Sequence, residues 1–149
     1  MGLSKREGHH LELQEYAFTG NELEFYLLTN SNLPSRRANL ELAFAFGDFI
    51  DSQHHDQSSE CLKYCRRLIA DNQESNTEIG HEEFLPFCAI IGLGRIGSND
   101  AKKRKTLLEL LRINAKDNRW RIREAVAMAL QYILESDPRV TLDLITSWK

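Results

Sequence analysis

From residue 21 onward, apolar side chains recur at three- and four-residue intervals, the spacing of one helix face. The spacing predicts helices near 21–30, 35–51, 58–71, 82–97, 102–116, 119–135 and 138–148. The punctuation agrees. Asn21 is placed to cap the first helix, Pro34 and Ser35 to open the second, Ser58 or Ser59 to cap the third, and Pro138 falls in the first turn of the last. Asp51 to Gln57 and Asp71 to Gly80 read as polar, exposed linkers. Residues 1–20 are polar with no lasting period and read as a flexible N-terminal arm, leaving 21–149 as one helical domain. No segment alternates apolar and polar residues for long, so the predicted class is all-α with about seven helices.

The pattern repeats. Cys88-Ala-Ile-Ile-Gly-Leu-Gly-Arg-Ile96 lies on Ala125-Val-Ala-Met-Ala-Leu-Gln-Tyr-Ile133 at an offset of 37. The same offset carries Leu107, Leu108 and Leu111 onto Leu144, Ile145 and Trp148, so two consecutive helices repeat together. A weaker offset of 47 lays Ala45-Phe-Gly-Asp-Phe49 on Gly92-Leu-Gly-Arg-Ile96. The helix over 119–135 is apolar nearly all round, which predicts burial on several sides, and its alanines, like Gly92 and Gly94, permit close helix approach.

Leu107 to Leu134 resembles a HEAT repeat. The leucine-rich first helix is Leu107, Leu110 and Leu111; the turn acid is Asp117; the aliphatic–Arg pair is Ile122-Arg123; the second helix has Ala125, Ala129 and Leu130. The resemblance implies a short right-handed α-solenoid of antiparallel helix pairs. It also implies structural roles for Asp117 and Arg123, which pair across stacked turns while the acid satisfies backbone N–H groups.

Three arginines, Arg119, Arg121 and Arg123, crowd the start of a helix beside Trp120. A helix N-terminus prefers anions, so this crowding needs neighbouring acids or a ligand. The implied structural role covers Arg123 and leaves Arg119 and Arg121 over. With 119–135 as the inner helix, Arg121, Glu124, Met128, Gln131 and Glu135 share a stripe, to which the offsets add Phe84, Phe87, Ile91 and Gly94, and Arg37, Leu40, Phe44 and Gly47. A concave face of that make-up suits a partner's apolar helix, or bases and phosphates. The expected partner-binding residues are therefore Arg37, Phe44, Phe84, Phe87, Arg119, Trp120, Arg121, Met128 and Gln131. A few degrees of rotation would instead turn Phe44, Phe84 and Phe87 into the core.

Composition changes the picture little. The 149 residues are 42% hydrophobic and 28% charged, enough for a real core. No run approaches a membrane span and no charged-then-apolar leader opens the chain, so the expectation is a cytoplasmic protein. Net charge is −3, split as −6 over residues 1–80 and +3 over 81–149, too little to announce nucleic acid. Lys102-Lys-Arg-Lys105 reads as a solvated face, with a phosphate patch as the alternative.

Catalytic and metal chemistry find little support. Cys61 and Cys65 sit four apart, near His54 and His55, but read as small residues of a buried face. The adjacent histidines His9-His10 and His54-His55 read as solvated loop residues, and His81 is the remaining candidate ligand. Gly92-Leu-Gly-Arg-Ile-Gly97 falls within a helix without a preceding strand, so it is no dinucleotide loop. No cofactor and no metal are expected. The bacterial DNA alkylation repair glycosylases are HEAT-like too, using a groove with tryptophans, a catalytic Asp and arginines. Here Trp120 and Trp148 stand alone, although Asp48 or Asp51 could lie near the groove. The expected function is a non-catalytic module with a protein partner, with nucleic-acid binding related to those glycosylases as the alternative. The last helix aligns with an outer helix and has no inner mate before residue 149, which predicts either a C2 homodimer through Val140, Leu144, Ile145 and Trp148 or a completing partner.

Overall fold

The computed structural model describes residues 2–33, 37–73 and 81–148, excluding the side chains of 140, 141, 144 and 145. The described residues are all-helical, in the order α1 (Lys5–Leu13), α2 (Glu22–Thr29), α3 (Leu40–Ala70), α4 (Phe84–Asn99), α5 (Arg104–Asn114), α6 (Trp120–Ser136) and α7 (Pro138–Thr146). None of these helices is long and apolar enough to cross a membrane.

Two features correct the sequence reading. After residue 20 the described residues hold six helices, because the segments predicted over 35–51 and 58–71 are merged into α3. Asp51 to Gln57 is polar, but it contains neither glycine nor proline, and it stays helical until Gln57. At Gln57, with φ −132° and ψ 49°, the helix breaks and the chain turns back, bringing the Cys61 Sγ to 3.9 Å from the Ile50 carbonyl oxygen and the Tyr64 ring centroid to 6.5 Å from that of Phe46. Ser58 and Ser59 thus open the second half of α3, directly after the break. Asn39 caps α3, accepting from the Leu42 N–H, while Pro34 and Ser35 lie outside the described residues. Second, the arm expected over 1–20 carries α1. Ser4 and Glu7 form its capping box, and Leu13 is fully buried.

The core follows from α4. Every residue from Phe84 to Gly94 is buried, because α4 lies between α3 and α6. The first half of α3, up to the break at Gln57, runs in the same direction as α4 and α6, and the second half returns. Leu40, Phe87 and Trp120 meet at one end, and further along Arg95 reaches Asp48 and Asp51 while Gly97 meets Ile133. α5 packs on α4 and α6 through Leu107, Leu108 and Leu111, and α7 packs on α6. The small residues permit the closest approaches. A Cβ on Gly92 would stand 3.1 Å from the Cys65 sulfur and 3.2 Å from Ile50, so α4 sits against both halves of the kinked α3.

Candidate functional site: one face of three parallel helices

The stripe predicted from the sequence is present in part, rotated on α4. Phe84 and Phe87 are 0% and 1% exposed and pack in the core instead of standing out from the surface. An all-apolar helix between two neighbours buries its aromatics, each worth about 1.5–3 kcal/mol on full burial. Arg95 and Asn99 take their place at the surface, on the line Phe87–Ile91–Arg95–Asn99. Sequence reasoning missed Arg95, although it is the only charged residue between Phe84 and Asn99.

One end of the face is a groove of about 330 Å³. Arg37, Ala38 and Leu40 line one side, Trp120, Arg121 and Glu124 the other, with Phe87 as floor. The groove thus joins Arg37, Phe87, Trp120 and Arg121, four of the predicted residues, from segments far apart in sequence. Trp120 is 54% exposed, and the Arg121 guanidinium lies 4.6 Å from its ring centroid. Arg121 Nη1 donates to Glu83 Oε1 at 2.7 Å, so Arg121 is anchored across to α4. Gln131 is exposed and Met128 half-buried further along α6.

Arg119 stands outside the groove. Its guanidinium and backbone N–H all donate to the Asp117 carboxylate at 2.8–2.9 Å, and Nη1 donates to the Asn72 carbonyl at 2.6 Å. It is therefore a clip between the end of α3 and the start of α6 and not a partner-binding side chain. Asp117 satisfies a backbone N–H as expected, but its carboxylate takes Arg119. Arg123 donates only to the Asp117 carbonyl, at 2.7 Å in an exposed position and within one turn, not across stacked turns. Hydrogen bonds from Arg119 hold the Asp117 carboxyl below its ordinary value, outweighing its partial burial.

The other end of the face is an ionic network. Asp48 accepts from Arg6 Nε and Nη2 at 2.6 and 2.7 Å and from Arg95 Nη1 at 2.7 Å. Arg95 Nη2 donates to Asp51 at 2.9 Å, and Arg95 lies 5.3 Å from the Tyr132 ring centroid. Phe44 is half-buried beneath Arg6, whose guanidinium is 5.5 Å from its ring centroid. Burial alone would push the Asp48 carboxyl up, but hydrogen bonds from Arg6 and Arg95 hold it below its ordinary value. The two acids expected near the groove are thus both bound by Arg95, and Asp48 is a weak proton acceptor.

The remaining candidates find ordinary surroundings. His54, expected in a solvated loop, is within α3 and bonds Asp100 through Nε2 at 3.1 Å. His9 Nδ1 and the Tyr26 hydroxyl are 2.7 Å apart. Cys61, Cys65 and Cys88 are buried free thiols. Among the described residues no three of His, Cys, Asp and Glu gather as a metal set would. In the basic run, Arg104 turns inward, donating to the Gly97 and Ser98 carbonyls and to Asp137. Of the surface predicted at the chain's end, Leu144, Ile145 and Val140 fall outside the described side chains, and Trp148 packs against the core. Compared with family models, curated proteins and solved structures, the chain matches none of them.

Proposed function

We propose that this chain is a non-catalytic, HEAT-like binding module whose face of α3, α4 and α6 receives a segment of a protein partner. Two observations support the repeat reading. The 47- and 37-residue offsets select Asp48, Arg95 and Tyr132, which touch one another in series, and the helical runs they lie on are parallel, with the second half of α3 and then α5 returning in between along the chain. The observation that carries the functional reading is the groove: an exposed indole over a buried phenylalanine floor, rimmed by both signs of charge. Arg6, Arg95, Arg104, Arg119 and Arg121 each meet a carboxylate within 2.9 Å. Guanidiniums committed in this way are not arrayed for a phosphate backbone, and a charge-balanced rim with an apolar floor suits a peptide segment.

Nucleic-acid binding is the second reading, favoured by the stacking of Arg121 on Trp120 beside Arg37. One pair of measurements separates the two. Protein captured by the immobilised chain is expected to be lost from Trp120→Ala, with melting temperature unchanged. Duplex DNA is expected to show no shift at ~50 mM salt, where phosphate-driven binding is strong. Salt-dependent DNA binding that Trp120→Ala abolishes would overturn the protein-partner reading.

A further inference from the structure

We infer that Phe44 and Asp48 form a guanidinium-binding subsite, filled here by the chain's own Arg6. A protein partner's helix, carrying an arginine and an apolar residue seven positions later, docks there by displacing α1. The inference stands on the other end of the face from the Trp120 groove and does not depend on it.

The subsite is built without α1. The Asp48 carboxylate is oriented from α4 by Arg95, which is held in turn by Asp51. Phe44, one turn earlier on α3, supplies a ring face. Onto this frame Arg6 brings a two-pronged fork, Nε to Oδ2 and Nη2 to Oδ1, with its plane near the ring. A fork on a fixed carboxylate over an aromatic ring selects guanidinium over ammonium.

The occupant is lightly held. α1 has nine residues, and Leu13 is its one buried residue, while Leu11 is exposed. A helix of that length is marginal by itself in water. Its anchors are Arg6, His9 on the Tyr26 hydroxyl, and Leu13, the i, i+3, i+7 arrangement by which a helix lies in a groove. The chain behind it stays fixed, for Tyr16 packs on Tyr26 at 5.4 Å and Phe18 on Tyr64 at 5.0 Å between ring centroids. α1 would therefore open about residues 14 and 15, giving up the His9–Tyr26 bond and the Leu13 seat while these ring contacts hold α2 and α3 in place. Tethered this closely, α1 competes at an effective concentration of the order of millimolar, and so excludes weak ligands while yielding to a better-matched helix.

Native-state hydrogen exchange on the full chain tests the strap. The amides of Gly8 to Leu13 are expected to exchange at least tenfold faster than those of α4, and faster again in Arg6→Ala with α4 unchanged. Fluorescence anisotropy tests the subsite, with a labelled peptide of residues 2–15 as the probe. It is expected to bind full-length Arg6→Glu, whose strap Asp48 repels, at least tenfold more tightly than the native chain, and a peptide carrying Arg6→Ala is expected not to bind. Protection of α1 equal to that of α4 overturns the proposal on the native chain alone, whatever the folding of Arg6→Glu. Equal binding of the two peptides overturns it as well. A native dimer by light scattering that Arg6→Ala dissociates would assign the subsite to the α1 of a second copy, and so overturn the choice of partner.

Discussion

Gly94 of α4 meets Ala129 of α6 so closely that a Cβ on the glycine would stand 2.6 Å from the Ala129 Cα and 2.9 Å from its carbonyl oxygen. Backbone cannot swing aside as a side chain does. Gly94→Ala is therefore expected to destabilise by about 2 kcal/mol despite the better helix propensity of alanine, lowering the melting temperature by roughly 4–8 °C. At Gly97 the nearest atom is the tip of Ile133, Cδ1 at 2.7 Å, which can rotate. Gly97→Ala is expected to cost less than about 1 kcal/mol. Thermal melts of the two variants check the difference, and a reversed order would contradict this packing.

The arginines at the start of α6 separate in the same way. Arg119→Ala removes the Asp117 and Asn72 contacts together from a site where both charged side chains are mostly buried. It is expected to cost about 1–3 kcal/mol, whereas Arg123→Ala, losing one exposed bond, is expected to stay within about 0.5 kcal/mol. Denaturant midpoints decide between them.

Asp48 gives the fold an acid-sensitive limb. Its carboxyl is depressed in the folded chain, so the unfolded chain takes up the proton first as pH falls. Its contribution is complete above the ordinary carboxylate range and is lost as pH drops through that range toward the folded value. Asp48→Asn is expected to be less stable than the native chain at pH 7 and to show a shallower loss of stability between about pH 5 and pH 2. Urea melts across that window measure both, and parallel curves would show that the network contributes nothing through this group.

The three cysteines are expected to be silent in the folded protein. Burial pushes the Cys61 thiol up to about 12 and Cys65 and Cys88 well above their ordinary values. Thiolate is the reactive form, so a disulfide reagent at pH 8 is expected to label none of them quickly and all three in denaturant. Fast labelling of a single thiol in native protein would place that residue nearer the surface than described.

The sequence makes the all-helical class legible, because residues such as Leu107, Leu108 and Leu111 repeat at helical spacing and fall on one buried face. It places the break between the two helical runs of α3 correctly but reads Asp51 to Gln57 as a linker, where the chain stays helical up to Gln57. α1 goes unnoticed because its apolar content is low, although Ser4 and Glu7 stand at the capping-box spacing. The face is legible at Arg37 and Arg121, which the offsets bring together, and the groove joins them with Trp120. Phe84 and Phe87 mislead for a physical reason. A helix apolar on every side carries no pattern to say which side its neighbours cover, and only the lone charge of Arg95 marks the exposed edge.

The parallel run of α3, α4 and α6 gives the molecule an electrical axis. The second half of α3 and α5 run back behind this face, but along the face itself neighbouring dipoles point the same way, with the first turns of α3, α4 and α6 gathered round the groove and the C-terminal turns of α4 and α6 at the far end. The side chains counter the sum. Glu41 and Glu83 lie at the starts of α3 and α4, Asp117 just before α6, and Arg104 bonds the last carbonyls of α4. A helix laid along this face is favoured with its own dipole opposed to the three, by about 0.3–1 kcal/mol at each end, so the fold imposes a direction on whatever it holds as well as a place.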